Sequence, residues 1–211
     1  MSRSTAVACV FALSALILAE PAARAADPTI ETPATETIVL LRHGEKPPAG
    51  LGQLDCQGLN RALALPPVLA RLFGRPAAIF APNPASPVRD EGGVFDYVRP
   101  LVTIEPTAIA LGMPVDASVG FTDIEGLVRR LAEPHLRQAL VFVAWEHLTI
   151  VHIARTLLAC HGGDAGAVPA WRDDDYDSIY IVRIERAGDR VRASFERTRE
   201  GLNGQPRTCP G

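Results

Sequence analysis

The segment Thr37–Lys46, TIVLLRHGEK, constrains this chain more than any other. Its first half, Thr37-Ile38-Val39-Leu40-Leu41, is an apolar run rich in β-branched residues, the pattern of a strand buried on both faces. The run stops abruptly at Arg42-His43-Gly44: a permanent cation, an imidazole and a flexible residue in succession. In open α/β sheets ligands bind at the carboxyl ends of the strands, and this is such an end. His43 is therefore a candidate nucleophile and Arg42 a candidate phosphate clamp.

The segment is preceded by a stretch that reads as targeting rather than fold. Arg3 supplies a positive start, Ala6 to Ala19 is apolar, and Ala23-Arg24-Ala25 has the small-x-small form of a cleavage site. Residues 1–25 are expected to be a signal peptide, since the apolar run falls short of the roughly 20 residues that span a bilayer. Residues 26–36, rich in Pro and Thr, are expected to be an extended lead-in, and residues 37–211 a single domain. The mature protein is thus expected to be periplasmic or secreted, with no membrane span after signal cleavage.

The formal charge is −3, and becomes −4 once Arg3, Arg24 and Glu20 are removed. That balance gives no support to nucleic acid as a partner. Cys56, Cys160 and Cys209 survive processing, so one disulfide is possible and one thiol is left over. Of the three pairings, Cys56 with Cys209 is preferred, because it would tie the C-terminal tail to the loop after the first strand. The spacing does not resemble a zinc site, and no metal or cofactor is expected.

Along the chain, Lys46 to Gly52 is a loop, and Leu59 to Leu65 reads as a helix interrupted by Pro66-Pro67, with a turn or two continuing to Phe73. Ala77 to Ala81 is a short buried strand, and Pro82 to Tyr97 a long loop over the carboxyl edge. Helices follow over Arg99 to Leu111, stopped by Gly112, and over Ile124 to Leu131, capped by Thr122 or Asp123. Ala139 to Ala144 is a strand that ends in Trp145-Glu146-His147, and a helix runs from about Leu148 to Cys160. Ser178 to Ile184 and Arg190 to Phe195 form a hairpin, and the tail from Glu200 is irregular. Alternating strands and helices imply right-handed crossovers and a mostly parallel sheet, hence a three-layer α/β/α sandwich.

Two buried strands therefore end in a histidine, His43 and His147, and a parallel sheet brings both ends to one edge. A single histidine at a strand end is as readily structural as functional. A pair at equivalent ends, one preceded by arginine, favours chemistry.

At this point the pattern resembles a known family. Arg42-His43-Gly44-Glu45 after an apolar strand is similar to the signature of the histidine phosphatase superfamily, the group that includes the phosphoglycerate mutases. Leu54 to Ala62 resembles that family's entry to its first helix. Arg99, Thr103 and Ala108 resemble its second helix start, with Ile104 to Thr107 as an insertion or variant. Val141 to His147 resembles its late strand. The resemblance covers most of Thr37 to Ile184 and implies a phosphoglycerate mutase-like fold. It also implies a phosphatase that forms phosphohistidine on His43, with Arg42, Arg99 and His147 binding the phosphoryl group.

The chemistry suits these residue types. A neutral imidazole can attack phosphorus and split one displacement into two, and guanidinium groups offer fixed, always-charged donors to phosphoryl oxygens. A general acid for the leaving group is sought among Asp123, Glu125 and Glu146, with Asp123 preferred. Glu45 and Arg61 are read as supporting residues, and Arg89 as a rim residue. Trp145 and Trp171 are expected to pack, with the acidic run Trp171-Arg172-Asp173-Asp174-Asp175-Tyr176-Asp177 as a solvated loop or specificity rim. The expected substrate is a small phosphorylated molecule or a phosphate group on a larger one. The rival reading is a non-catalytic envelope protein binding a phosphorylated or anionic ligand in the same pocket.

Overall fold

Strand β1 (Ala34–Arg42) lies at the centre of a five-stranded sheet, seen in a computed structural model that describes residues 34–211. The expected signal segment and most of the lead-in lie outside the described residues. The strand order is β2-β5-β1-β6-β7, in which β2 (Ala78–Phe80), β5 (Leu140–Trp145) and β1 are parallel. β6 (Ser178–Ala187) runs antiparallel to β1, and β7 (Arg190–Arg199) antiparallel to β6.

Side chains alternate across this sheet as a two-residue period demands. Ile38 and Leu40 of β1, with Val141, Val143 and Trp145 of β5, face helices α3 (Ile124–Leu131) and α4 (His147–Cys160). Val39 and Leu41, with Phe142 and Ala144, face α1 (Cys56–Phe73) and α2 (Arg99–Leu111). The result is the expected α/β/α sandwich. Arg42 pairs in register with Trp145, so the carboxyl ends of β1 and β5 finish level and His43 emerges beside Glu146-His147.

Several boundaries differ from the sequence reading. β1 begins at Ala34, inside the expected lead-in, because its antiparallel partner is long enough to pair Ala34 with Arg186. Glu36, expected in that lead-in, is buried and 3.0 Å from Arg186. Helix α1 starts at Cys56 and runs unbroken through Pro66-Pro67. A proline in a helix interior costs about 3 kcal/mol. Leu65 and Leu69, both fully buried against the sheet, each return about 2 kcal/mol. The loop over the carboxyl edge contains a small hairpin, β3 (Val88–Asp90) with β4 (Gly93–Phe95). The tail is anchored rather than loose: Glu200 and Leu202 are buried, and Asn60 donates to the carbonyls of Pro206 and Thr208. A disulfide joins Cys56 to Cys209, as preferred, and leaves Cys160 free and exposed.

Candidate active site

The turn after β1 is held from three sides. The His43 amide donates to the Trp145 carbonyl (3.0 Å), and the Gly44 amide to Thr103 Oγ1 (2.9 Å) on α2. Against α1 the approach is so close that a Cβ on Gly44 would lie 2.9 Å from Gly58 Cα, and one on Gly58 would lie 2.2 Å from the Glu45 carbonyl oxygen. Neither position admits a side chain. Glu45 then receives a bidentate bond from Arg61 (2.9 and 2.7 Å), a fully buried guanidinium that also meets Glu200 (2.6 Å) and Asp177 (3.6 Å). Both Glu45 and Arg61 are thus supporting residues, as the sequence suggested. Burial holds the Glu200 carboxyl up to about 8, against the pull of Arg61.

His43 is 2 % exposed. Its Nδ1 lies 2.8 Å from the Gly44 carbonyl, which only accepts, so Nδ1 carries the proton and Nε2 keeps its lone pair. Burial pushes the imidazole down to about 3. The Gly44 bond opposes the shift, Arg99 and Arg42 reinforce it, and Glu146 opposes it. The ring is therefore neutral at ordinary pH, the state a nucleophile requires. No hydrogen bond among the described residues involves Nε2.

The two arginines flank this ring but are already occupied. Arg42 Nη1 donates to the carbonyls of Asp173 (2.7 Å), Asp175 (2.9 Å) and Arg172 (3.4 Å), and its guanidinium stacks 3.8 Å from the Tyr176 ring. Arg99, the first residue of α2, meets the Asp90 carboxylate through Nη1 (2.7 Å) and Nη2 (3.3 Å) and the Gly50 carbonyl at 3.3 Å. Asp90 in turn accepts from the Gly52 amide (2.9 Å), in a turn where Gly50, Leu51 and Gly52 all have positive φ (78°, 55° and 67°). Leu51 is strained there. In both arginines Nε is buried without a partner.

His147 opens α4. Its Nε2 lies 2.9 Å from Asp173, while Glu146 comes within 2.5 Å of Nδ1 at an angle that makes no hydrogen bond. Glu146 is the N-cap of α4 and accepts from the Thr149 amide and hydroxyl (2.8 and 3.0 Å). Burial favours its protonated form, but the adjacent His147 imidazole and the Leu148 and Thr149 amides outweigh this and bring it down to about 2.

The structure thus gathers His43, Arg42, Arg99, Glu146 and His147 at one sheet edge. Asp123 is elsewhere engaged: it is exposed, caps α3 by accepting from the Gly126 amide (2.8 Å), and bonds none of the other candidates. Glu125 is exposed and pairs with Arg129. Sequence reasoning missed Asp90 and Tyr97, and reached Tyr176 only as part of the run of residues 171–177 at the pocket edge. Tyr97 and Tyr176 lie 6.1 and 6.3 Å from the His43 ring, centroid to centroid. The acidic run, read as a solvated loop or rim, folds its backbone onto Arg42. A cavity of about 440 Å³, lined in part by Glu45, Lys46, Gln57, Tyr176 and Arg207, opens beside the turn. Among the described residues no cluster of three or more His, Cys, Asp or Glu is arranged to hold a metal ion.

This sheet, with helices on both faces, has the phosphoglycerate mutase-like fold. The likeness is to a mycobacterial glucosyl-3-phosphoglycerate phosphatase, with 14 % identity and a TM-score of 0.52 over 76 % of this chain and 97 % of that one. A protein from Escherichia coli, provisionally assigned as an α-ribazole-5′-phosphate phosphatase, aligns over 83 % of this chain and 98 % of its own, with 13 % identity and a TM-score of 0.49. No family model and no curated protein matches the sequence.

Proposed function

We propose that the chain is a phosphatase that hydrolyses a phosphomonoester through a phosphohistidine on His43. The observation that carries this reading is the buried, neutral His43 ring, with Nδ1 held by Gly44 and Nε2 left free. Nε2 attacks phosphorus, the bond to the leaving oxygen breaks, and a P–N bond forms. Water then attacks, the P–N bond breaks, and inorganic phosphate leaves. Arg42 and Arg99 neutralise the phosphoryl oxygens and His147 binds them beside these, so no metal is required. Asp90 on Arg99 and Asp173 on His147 are the carboxylates that a phosphoryl group would displace. The remainder of the substrate, a small molecule or a larger phosphorylated one, would extend into the cavity beside Lys46 and Arg207.

We further assign the mature protein to the periplasm or the extracellular space. The disulfide supports an oxidising compartment, and residues 1–25 have the pattern of an export signal.

One observation favours the rival reading of a non-catalytic anion-binding protein. Glu146 is ionised at neutral pH and Asp123 is an exposed helix cap, so neither is poised to donate a proton to a leaving group. The test is brief incubation with labelled phosphodonors carrying either an aryl or an alkyl leaving group, followed by denaturation. Acid-labile, alkali-stable label in the wild type, absent in His43→Ala, supports the phosphatase. Turnover of the aryl ester alone indicates that a general acid is lacking. Phosphate binding without label or turnover on either ester supports the binding protein.

A further inference from the structure

Several buried polar atoms have no hydrogen-bond partner among the described residues, and four of them belong to residues around His43: Arg42 Nε, Arg99 Nε, His147 Nδ1 and the Tyr97 hydroxyl. The arginines and His147 are accounted for by the phosphoryl-binding reading above. Tyr97 is not. Its side chain is fully buried, and its ring is fixed edge-on to His43 (6.1 Å, 86°), against Phe121 (5.0 Å) and beside the Arg99 guanidinium (4.8 Å). The Tyr97 amide, bonded to the Pro84 carbonyl (2.9 Å), anchors the residue just ahead of α2.

A buried tyrosine normally finds a partner for its hydroxyl, and leaving one unmet costs stability. The Arg99 guanidinium beside the ring can donate to the hydroxyl but cannot accept its proton. A guanidinium has no acceptor, so even at contact distance the phenolic proton would remain without one. A phosphoryl group seated against His43 would bring such an acceptor.

We propose that Tyr97 is a further catalytic residue whose hydroxyl donates to an oxygen of the phosphoryl group as that group passes to and from His43. This rests on the phosphatase reading of the same site. The ligand class it selects is a tetrahedral or trigonal-bipyramidal oxyanion, rich in acceptors. Burial holds the phenol well above its ordinary range, so it is a proton-bearing donor throughout the working pH. As a neutral donor it leaves the positive charge of the site unchanged, and adds direction rather than field.

Tyr97→Phe keeps the ring packing and removes only the hydroxyl. The test compares wild type and Tyr97→Phe for orthovanadate binding, for kcat/KM on p-nitrophenyl phosphate, and for melting temperature without ligand. The expected result is vanadate binding weaker by about 10- to 100-fold with a matching fall in kcat/KM, the scale set by loss of one hydrogen bond to a charged ligand. The ligand-free variant is expected to melt at or above the wild-type temperature, because an unmet buried hydroxyl is gone. A purely structural hydroxyl would give the reverse: a lower melting temperature with vanadate binding unchanged. Wild-type vanadate affinity in Tyr97→Phe overturns the assignment of Tyr97 alone. A wild-type protein that binds neither vanadate nor phosphate overturns the reading of the site, and Tyr97 with it.

Discussion

Replacing Asp90 by asparagine separates two roles that the Asp90–Arg99 pair could have. The pair is largely buried, with side-chain exposures of 8 % and 3 %, and bidentate. Removing one partner of a buried ion pair costs about 3 to 5 kcal/mol. Asp90 lies on a short surface hairpin, so the lower end applies. At about 2–4 °C per kcal/mol for a domain of this size, the ligand-free variant is expected to melt roughly 6–12 °C below the wild type. Phosphate should act in the opposite sense. In the wild type it must displace the Asp90 carboxylate to reach Arg99, whereas in Asp90→Asn the guanidinium has no charged competitor. If only about 2 kcal/mol of the pair's energy opposes the ligand, phosphate binds roughly 30-fold more tightly to the variant. A calorimetric melt at increasing phosphate concentration reads both quantities at once. Weaker phosphate binding in Asp90→Asn would refute the argument, and would make Asp90 a support that orients Arg99 rather than an occupant of the ligand's place.

Two further predictions concern pH and one concerns redox state. The folded His43 ring refuses a proton that the unfolded chain accepts below about 6.5, so stability should fall as pH drops from about 6.5 toward 3. Denaturant titrations of His43→Gln should show a flatter acid limb than the wild type. Glu200 has the opposite sign. Its carboxyl keeps a proton up to about 8 that the unfolded chain releases above about 4.3, so it contributes stability that declines between those values. Glu200→Gln should remove that decline, and an unchanged slope would exclude Glu200 as its source. The Cys56–Cys209 bond closes a loop with a sequence separation of 153, for which chain entropy predicts up to about 5 kcal/mol. Reduction, or Cys56→Ser, should lower the denaturation midpoint accordingly, and no change would place the tail's anchorage in Asn60 and Glu200 alone.

What could be read from the sequence was local. The apolar run of β1, the Gly112 stop of α2, the Asp123 cap and the strand-end histidines all announce themselves within a few residues, and each is where the pattern put it. Pro66-Pro67 misled because local propensity was overruled by the burial of Leu65 and Leu69 on a distant sheet. The occupants of the site were hidden for a related reason. Asp90 meets Arg99 across a hairpin with no alternating apolar signal, and the 172–176 segment reaches Arg42 from 130 residues away. A carboxylate's partner is a property of tertiary structure. Asp123 shows the converse: a residue with a clear local role was credited with a remote one.

The disulfide has a consequence for how the chain assembles. The covalent ring it closes contains β5 and β6, the two neighbours of β1 in the sheet, but not β1 itself. The strand that delivers Arg42 and His43 is therefore an insert into a slot whose two walls belong to one closed circuit. If the thiols are oxidised before β1 docks, the two walls are already tied into one circuit while Arg42 and His43 lie outside it. A chain in that state would be correctly cross-linked, yet would lack the sheet edge on which His43 and His147 meet.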